Sequence, residues 1–512
     1  MEYTAMPTTL TQTTTPDFGH FQQLAAARHT LIPVYRTVTA DLDTPVSVFL
    51  RIAAQEPEAF MLESVEGGER MGRYTFIGIR PYKKLVSRGT ALVSTQGKTV
   101  REFQGDIFEE LKHALSEHTP ARLPGLPPFT AGAVGFFAYD VVRQIERLPS
   151  IALDELGVPD ACLMFFDEVL AFDHVKKEIF LILTADLTRQ PDVDAAYRQA
   201  KERLDRLERE LAAPLPPVVK QQPQGPLELT SRTPRAHYMQ AVDQVKEYIA
   251  AGDIFQCVLS QRFDCKPGVD PFEIYRALRI VNPSPYMYFL RFPMAAPGSA
   301  EPTPAHIVGS SPELLVRVHD GKIEYHPIAG TRPRGADEAA DRQLEDDLLH
   351  DAKEVAEHVM LVDLGRNDVG RVSQFGSVKV QKLMFVERYS HVMHLVSALE
   401  GQLKQGMAPV DAFRSCFPAG TLSGAPKIRA MEIIEELEPT RRGVYGGSVF
   451  YADFSGNLDS CIAIRTLFMH GENGYIQAGG GVVADSVPEA EFDETVNKSK
   501  AVVRAIERAR AR

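Results

Sequence analysis

The sequence predicts a large globular protein that mixes strands with helices along its length. Between about Thr30 and Thr184, apolar runs rich in β-forming residues dominate, and 132–142 and 178–185 are the clearest of them. A charged helix is predicted over 194–213, and beyond a proline-rich stretch strands alternate with helices as far as Arg512. The chain therefore belongs to the mixed classes of α and β structure.

The composition is that of an ordinary soluble protein. The 512 residues are 44% hydrophobic and 24% charged, and the formal net charge is −12. This charge argues against a nucleic-acid partner, so an anion site must be a local cluster of Arg and Lys. No apolar run approaches the roughly 18 residues of a membrane span, and the threonine-rich N-terminus lacks a secretory signal. Five cysteines without a Cys-x-x-Cys pair indicate reduced thiols in a cytoplasmic protein.

A proline-rich segment divides the chain into two domains. Its five prolines, which prevent regular structure, are Pro214, Pro216, Pro217, Pro223 and Pro226. We interpret 214–232 as a linker between an N-terminal domain, 26–213, and a C-terminal domain, 233–512. Residues 1–25 are interpreted as a mobile N-terminal tail.

The C-terminal domain is predicted to begin with a helix. Thr233 is placed to N-cap it, Pro234 suits its first turn, and Gly252 is placed to end it. Its apolar stripe consists of Tyr238, Val242, Val245 and Ile249.

Two helices farther along carry the same acidic pattern. In the first, predicted over 344–363, Glu354 and Glu357 lie three residues apart beside an apolar stripe. That stripe consists of Leu348, Ala352, Val355, Val359 and Val362.

The second acidic helix is predicted over 486–506. Glu491 and Glu494 repeat the spacing and the offset from an apolar stripe, and Lys498 continues their row. A capping box of Ser486 and Glu489 is predicted to begin this helix. Its stripe consists of Phe492, Val496, Ser499, Val503 and Ile506.

The two acidic pairs allow two interpretations. Each pair alone is typical of a solvated helix face, whereas both together could form one site of oxygen ligands. Carboxylates with open positions suit Mg²⁺, which keeps waters and takes further oxygens from a substrate. No His and Cys cluster suggests zinc. The spacing does not show whether the two helices face each other.

The segment 327–335, Pro-Ile-Ala-Gly-Thr-Arg-Pro-Arg-Gly, concentrates positive charge around one small neutral residue. Arg332 and Arg334 predict an anion site near Ala329, because a guanidinium group is the natural bidentate partner of a planar carboxylate.

These segments, taken with others in order, resemble the chorismate-utilising enzymes, and within them the large subunits of anthranilate synthases. The resemblance covers most of the C-terminal domain and, more weakly, parts of the N-terminal domain. The C-terminal segments are 252–262, 282–290, 309–317, 327–335, 353–372, 417–447 and 478–501, and the N-terminal ones are 61–68, 73–78 and 132–140.

The resemblance implies a fold, a reaction and a cofactor. The fold is α+β, with two large antiparallel sheets, helices outside, and the N-terminal part wrapped closely onto the C-terminal part. Ammonia adds to C2 of chorismate, the C4 hydroxyl leaves, and elimination of pyruvate yields anthranilate, the first committed step of tryptophan biosynthesis. Mg²⁺ bridges a substrate carboxylate and protein glutamates.

The resemblance also assigns roles to individual residues. Glu357 and Glu494 are implied as direct Mg²⁺ ligands, with Glu354 and Glu491 in support. The catalytic group comprises Glu313 as the general acid for the C4 hydroxyl, with His394, Gln256 and Thr331. The substrate group comprises Tyr445, Arg465, Gly479 and Gly481 at the pyruvyl carboxylate, Gly330 and Thr331 beside the ring, and Lys498 at the ring carboxylate.

Two positions indicate which nucleophile is used. Water-using relatives carry a lysine at the position of Gln256, and a glutamine cannot serve as that base. Aminodeoxychorismate synthases carry a lysine at the position of Ala329, where alanine withholds a competing nucleophile. Both positions favour ammonia. The alternatives are the large subunit of an aminodeoxychorismate synthase and a regulatory protein that binds the metabolite without turnover.

The resemblance implies a partner and an inhibitor. No glutaminase signature is present, so a separate glutamine amidotransferase subunit is expected, in a heterotetramer of two large and two small subunits. L-Tryptophan is the expected feedback inhibitor, which gives domain 26–213 a regulatory role. Its implied site consists of Glu63, Ser64, Pro285, Tyr286 and Met287.

Overall fold

The computed structural model describes residues 13–64, 72–217, 225–299, 301–389 and 392–511. In these ranges the chain forms two twelve-stranded sheets in which the paired strands are antiparallel. Helices cover the outer faces of both sheets. The predicted α+β fold is therefore confirmed.

The first sheet takes strands from both halves of the chain. Its strands are β1 (Leu31–Thr39), β2 (Ala59–Glu63), β3 (Tyr74–Ile79), β9 (Glu168–Asp173), β10 (Glu178–Asp186), β11 (Leu229–Ser231), β12 (Gln256–Cys265), β13 (Tyr286–Ala295), β14 (Pro302–Ser311), β20 (Gly424–Ala425), β23 (Thr466–His470) and β24 (Asn473–Val482). They run in the order β1-β10-β9-β3-β2-β13-β14-β23-β24-β12-β11, and β20 pairs with β12.

The second sheet is likewise built from both halves. Its strands are β4 (Lys83–Arg88), β5 (Ala91–Gln96), β6 (Thr99–Gln104), β7 (Gly132–Phe137), β8 (Ala161–Phe166), β15 (Leu314–His319), β16 (Lys322–Tyr325), β17 (Ile328–Pro333), β18 (Lys379–Arg388), β19 (Val392–Gln402), β21 (Ser448–Asp453) and β22 (Leu458–Ile462). They run in the order β17-β19-β16-β15-β22-β21-β7-β8-β4-β5-β6, and β18 pairs with β19.

The helices form the outer layers. They are α1 (Phe18–Ala26), α2 (Pro45–Ile52), α3 (Ile107–Ser116), α4 (Val193–Leu211), α5 (Arg235–Ala250), α6 (Pro271–Val281), α7 (Glu338–His350), α8 (Ala352–Val372), α9 (Pro409–Cys416), α10 (Lys427–Leu437) and α11 (Pro488–Arg510). Phe60, Phe136, Ile307 and Phe468, contributed by both sheets, pack together between them. Helices α2, α4, α6 and α11 cover the first sheet, and α3, α8 and α9 cover the second. No described helix is long and apolar enough to cross a membrane.

The boundary placed at the prolines does not separate two independent cores, because both sheets combine strands from before and after it. The end of the predicted linker, 214–232, forms β11, which pairs with β12. Of the mobile tail predicted over 1–25, residues 1–12 lie outside the described residues. The prediction is wrong for 18–25, which belong to α1, whose N-cap Asp17 accepts a hydrogen bond from the His20 amide and whose Phe21 is fully buried. The predicted strand over 132–142 stops at Phe137, and a 3-10 turn follows it.

The first acidic helix is in fact two helices. Asp351 interrupts 344–363, because its carboxylate caps the amides of Lys353 and Glu354 and starts α8. The predicted stripe is wrong within α8, where Val359 is 48% exposed. The residues that α8 buries are His358, Leu361, Val362, Gly365, Asp368, Val369 and Val372.

The second acidic helix buries Ser499 and Ile506 of the predicted stripe and packs the half-buried Phe492, Val496 and Val503 against the core, so the prediction is confirmed in part. It buries Glu491, Thr495, Ser499, Val502, Ala505, Ile506 and Ala509. The predicted capping box is wrong, since the N-cap is Val487 and the Ser486 hydroxyl donates instead to Glu491 Oε1. Thr233 likewise does not cap α5, whose N-cap is Pro234.

Candidate active site

Two residues assigned to the site, Glu313 and Arg465, lie where the chain crosses from one sheet to the other. Glu313 lies between β14 of the first sheet and β15 of the second, and Arg465 lies between β22 and β23. These crossings are neighbours because β14 pairs with β23 and β15 pairs with β22. Glu313 and Arg465 consequently lie close enough for each charge to act on the pKa of the other.

Glu313 is a buried carboxyl group suited to act as an acid. It is 8% exposed, and its Oε1 accepts a 2.7 Å hydrogen bond from the Thr421 hydroxyl. Burial raises the pKa of Glu313 to about 7, although Thr421, Lys498 and Arg465 each act to lower it. A carboxyl group with this pKa holds a proton that it can donate near neutral pH.

His394 is buried on β19 beside two residues assigned to the ring of the substrate. Its Nδ1 lies 3.0 Å from the Thr331 hydroxyl and 3.1 Å from the Gly330 carbonyl oxygen. Burial lowers the pKa of His394 to about 4, so the ring is neutral at pH 7. Because a carbonyl oxygen can only accept, the proton lies on Nδ1 and Nε2 remains an acceptor.

Arg465 is a half-buried cation with no hydrogen bond or ion pair to its guanidinium among the described residues. Burial lowers its pKa, and the charges of Glu313 and Tyr389 act in the opposite direction. Its backbone φ of 50° lies in the left-handed region, which is uncommon for a residue other than glycine. An unpaired cation held in a strained conformation is typical of a functional site and fits an anionic ligand.

Tyr445 and Gly479 meet closely at this site. A methyl group added at Gly479 would lie 2.6 Å from the Tyr445 hydroxyl oxygen, so only glycine permits this approach. Burial raises the pKa of Tyr445, which keeps its hydroxyl neutral. Gly479 pairs with Ser260 of β12, whereas the register of β24 with β23 ends at Ile476. Within the described ranges, no strand therefore pairs with the other edge of 479–482.

The N-terminal ends of the two acidic helices lie near each other, a relation that the spacing alone left open. Lys353 at the start of α8 acts on the pKa of Glu491 in the first turn of α11. Gln256 Nε2 on β12 donates a 2.8 Å hydrogen bond to Glu357 Oε1 of α8. A methyl group added at Gly481 of β24 would lie 2.6 Å from the same amide nitrogen. Both helices therefore approach the same end of the first sheet.

These carboxylates carry negative charge that neighbouring side chains only partly balance. Burial raises the pKa of Glu354 and of Glu491, and the charges of Glu357 and Glu494 respectively raise them further. Glu491 Oε2 is buried and has no hydrogen-bond partner among the described residues. A buried acceptor of this kind costs free energy unless a proton or a cation satisfies it.

This donor set fits Mg²⁺ shared with a substrate. No group of three or more His, Cys, Asp or Glu side chains in the described ranges could hold a metal ion by itself. Gln256 holds one oxygen of Glu357, and Lys498 lies 2.7 Å from Glu494 Oε1. Because Mg²⁺ takes its remaining oxygens from water and substrate, an incomplete set of carboxylates suits it better than a closed structural site would.

The arginines of 327–335 do not form the predicted anion site. Arg332 is paired with Asp347 and Asp351, each at 2.7 Å, and Arg334 is paired with Asp341 at 2.6 Å. These carboxylates belong to α7 and to the junction of α7 with α8. The two arginines therefore bind α7 and its junction with α8 to the end of β17. Among the described residues, Arg465 is the cation of the site whose guanidinium has no hydrogen bond or ion pair.

Lys498 has protein partners at the same site. Its ammonium group donates a 3.0 Å hydrogen bond to the Gly479 carbonyl oxygen and lies 2.7 Å from Glu494 Oε1. It therefore joins α11 to β24 beside the acidic pair. Its assignment to the ring carboxylate stays a prediction.

The residues assigned to the inhibitor lie along two paired strands, and three strands of the first sheet separate them from β12, which carries Gln256. Glu63 of β2 pairs with Met287 of β13. The prediction that Glu63 receives an ammonium group is weakened, because its buried carboxylate already accepts hydrogen bonds from Tyr275 and Arg279 of α6. Ser64 follows β2 directly and Pro285 precedes β13. The Tyr286 hydroxyl donates to Asp459 at 3.1 Å, which directs it toward the second sheet.

Sequence reasoning did not assign a role to Thr421, although its segment was recognised as a motif. The partner of Thr421 is Glu313, 108 residues away, and no periodic signal connects positions so far apart. Tyr389 was also missed, and its ring packs edge-on against His394 with 5.5 Å between centroids.

Comparison with known proteins identifies the class to which this fold and site belong. Residues 57–504 match the family described as chorismate binding enzyme, and the chain belongs to that family. Within it, the chain is a member of the anthranilate synthase component 1 group. It is 46% identical to that protein from Acetivibrio thermocellus over 95% of this chain and 97% of the relative, and 47% identical to that from Pseudomonas putida over the same shares. The crystal structure of anthranilate synthase component I from Streptococcus pneumoniae superimposes with a TM-score of 0.75 at 34% identity, covering 91% of this chain and 99% of that one.

Proposed function

We propose that the chain converts chorismate and ammonia to anthranilate, pyruvate and water. The observation that carries this proposal is the adjacency of Glu313, whose pKa is about 7, to the unpaired guanidinium of Arg465. An acid beside an anion-binding cation suits an anionic substrate whose poor leaving group needs a proton.

In the proposed reaction, each bond that forms on chorismate is matched by a bond that breaks, with Glu313 as the proton donor. Ammonia forms a bond to C2, the ring double bonds shift, and the C4–O bond breaks as Glu313 donates its proton, so the hydroxyl leaves as water. The added nitrogen loses one proton to become an amine. The C2–H proton is then lost, the C3–O bond breaks and the enolpyruvyl methylene carbon gains a proton, so the side chain leaves as pyruvate and the ring becomes aromatic. His394, neutral at pH 7, offers Nε2 as an acceptor beside the ring.

Substrate orientation falls to the groups around this acid. Arg465 and Tyr445 bind the pyruvyl carboxylate, and the backbone of Gly479 and Gly481 approaches it without side chains in the way. Thr331 and Gly330 lie beside the ring, and Lys498 binds the ring carboxylate. Binding chorismate and ammonia together makes the reaction effectively unimolecular, because the translational and rotational entropy is lost on binding and not in the chemical step.

Mg²⁺ is the proposed cofactor, held by Glu357 and Glu494 with Glu354 and Glu491 in support. When bound, it neutralises substrate carboxylate charge and orients the ring. The buried, unpartnered Oε2 of Glu491 supports this assignment.

Ammonia is the proposed nucleophile, supplied by a glutamine amidotransferase partner in a heterotetramer of two large and two small subunits in the cytoplasm. Gln256 donates its amide to Glu357 and cannot act as a base toward water. Ala329 offers no amine of its own. L-Tryptophan is the proposed feedback inhibitor, bound beside Ser64 and Met287.

The test is a product assay with the purified chain, chorismate, Mg²⁺ and ammonium. Fluorescent anthranilate is the expected product. Aminodeoxychorismate, which yields p-aminobenzoate only after a separate lyase is added, would contradict the proposal. So would isochorismate, or chorismate that binds and is recovered unchanged.

A further inference from the structure

Thr421 is held rigidly at the end of the candidate site. It lies in a 3-10 turn, 420–422, where the Leu422 amide donates to Ala419 at 3.1 Å. The buried guanidinium of Arg442 donates a 2.6 Å hydrogen bond to the Leu422 carbonyl oxygen. A methyl group added at Gly420 would lie 3.0 Å from the Leu364 side chain of α8, so the turn fits closely against that helix.

The Thr421 hydroxyl has one hydrogen-bond partner among the described residues. It donates to Glu313 Oε1 at 2.7 Å, and the described residues give Glu313 Oε2 no hydrogen-bond partner. A hydroxyl that donates to one carboxyl oxygen requires that oxygen to be the acceptor. The acidic proton of Glu313 is therefore directed to the other oxygen.

We infer that Thr421 is a positioning residue for the proposed reaction: its hydroxyl fixes the carboxyl plane of Glu313 and assigns the transferable proton to Oε2. The inference rests on the proposed function, since it concerns which oxygen protonates the departing C4 hydroxyl. In that step the Oε2–H bond breaks, a new O–H bond forms on the leaving oxygen, and the charge of the resulting carboxylate is shared with Oε1. The Thr421 hydroxyl then donates to a charged acceptor, which strengthens its hydrogen bond as the proton leaves.

The charges around Glu313 come from several elements. Lys498 of α11 and Arg465 between β22 and β23 act to lower its pKa, as does Thr421. Tyr325 of β16 and Tyr445 are close enough for the charge of Glu313 to act on them. Of these groups, Thr421 is the one whose side chain donates a hydrogen bond to the carboxyl group, at 2.7 Å, so removing its hydroxyl changes orientation and acidity together.

The test compares Thr421→Val, which keeps the shape, with Thr421→Ser, which keeps the hydroxyl. The measurements are kcat and kcat/KM across pH, with ammonium as the nitrogen source. Thr421→Val is expected to lower kcat about tenfold, a part of the 10²- to 10⁴-fold that general acid catalysis contributes. It is also expected to move the alkaline limb of kcat/KM upward by about one pH unit, because the lost hydrogen bond favoured the charged form. Thr421→Ser is expected to restore both.

A control and a second readout keep the outcomes distinct. Thr303→Val removes a 2.8 Å hydrogen bond to His470 on the exposed part of β14 and is expected to change neither quantity. Infrared difference spectra of the protonated carboxyl band, assigned with Glu313→Gln, report the pKa of Glu313 even in a variant with little activity. An unmoved pKa and alkaline limb in Thr421→Val would overturn the inference, even with a lowered kcat. A wild-type chain that makes no anthranilate would instead overturn the proposed function itself.

Discussion

Gln256 of β12 donates a 2.8 Å hydrogen bond through Nε2 to Glu357 Oε1 of α8. The bond joins the first sheet to a helix that covers the second, and it fixes one oxygen of a proposed Mg²⁺ ligand. The residue that argues against water as nucleophile therefore also orients a carboxylate of the proposed metal site.

Replacement of Gln256 by leucine is expected to weaken the response to Mg²⁺. Without the hydrogen bond from Gln256, the Glu357 carboxylate is no longer held in one orientation. Loss of such a hydrogen-bond partner of a metal ligand lowers metal affinity about 10- to 100-fold. The measurement is the Mg²⁺ concentration for half-maximal anthranilate formation, together with Mn²⁺ binding by calorimetry. Gln381→Leu is the matched control, since Gln381 donates a 2.9 Å hydrogen bond to Glu400 on the surface. Equal metal affinity in both variants would contradict this role.

Replacement of Glu357 or Glu494 by glutamine is expected to nearly abolish activity while the fold remains intact. A neutral amide is a weaker Mg²⁺ ligand than a carboxylate and leaves the substrate charge unbalanced. The measurements are turnover, circular dichroism and Mn²⁺ binding. Glu489→Gln, an exposed position in the first turn of the same helix, is expected to behave as wild type. Full wild-type activity in excess chelator would exclude the metal.

Replacement of Glu313 by glutamine is expected to remove activity and to raise stability at alkaline pH. The folded-state pKa of about 7 lies above the ordinary value of 4.5. The stability contribution of Glu313 is therefore complete below about pH 4.5 and is lost as pH rises through about 7. The shift corresponds to at most about 3 kcal/mol.

The measurement for this variant is the urea midpoint of unfolding at pH 5 and at pH 8. The difference between Glu313→Gln and wild type is expected to grow in favour of the variant at pH 8. Wild-type turnover is expected to fall above about pH 7, where the acid has lost its proton. A difference in midpoint that does not change with pH would show that Glu313 titrates as an ordinary carboxyl group.

Replacement of Ser64 by phenylalanine is expected to relieve inhibition by L-tryptophan and to leave uninhibited turnover nearly intact. Ser64 follows β2, whose end pairs with Met287 on β13, and three strands of the first sheet separate β13 from β12, which carries Gln256. A coupling of roughly 1–3 kcal/mol between inhibitor and substrate shifts either affinity by about 5- to 150-fold. The measurement is a tryptophan titration at fixed chorismate. Identical inhibition curves for both proteins would remove Ser64 from the regulatory site.

Much of the fold could be predicted from the sequence, because strand and helix patterns are local. The set of residues that each of the two acidic helices buries could not be predicted. The apolar stripes were placed on the assumption that buried residues are mostly apolar, whereas α11 also buries Glu491 and Thr495. The break at Asp351 was missed because, within a charged segment, the sequence does not distinguish an aspartate that caps a helix from one that lies inside a helix.

The spacing of the acidic pairs offered an Mg²⁺ site as one of two interpretations. The roles of the individual residues were predictable only through the resemblance, because these residues lie on strands and helices far apart in the chain. Composition indicated an arginine-rich anion site at 327–335, yet Arg332 and Arg334 are neutralised by nearby aspartates. The unpaired cation, Arg465, has no distinguishing neighbour in sequence apart from its apolar surroundings. Its role follows from the two sheet crossings that bring it to Glu313.

The most direct test of the account is the mass of the product formed from chorismate, Mg²⁺ and heavy-nitrogen ammonium by the purified chain. The account predicts anthranilate that carries the heavy nitrogen, with an equal amount of pyruvate, and no product when glutamine replaces ammonium and the partner subunit is left out. A nitrogen-free isomer of chorismate as the main product, or a labelled product that retains the enolpyruvyl group, would contradict it.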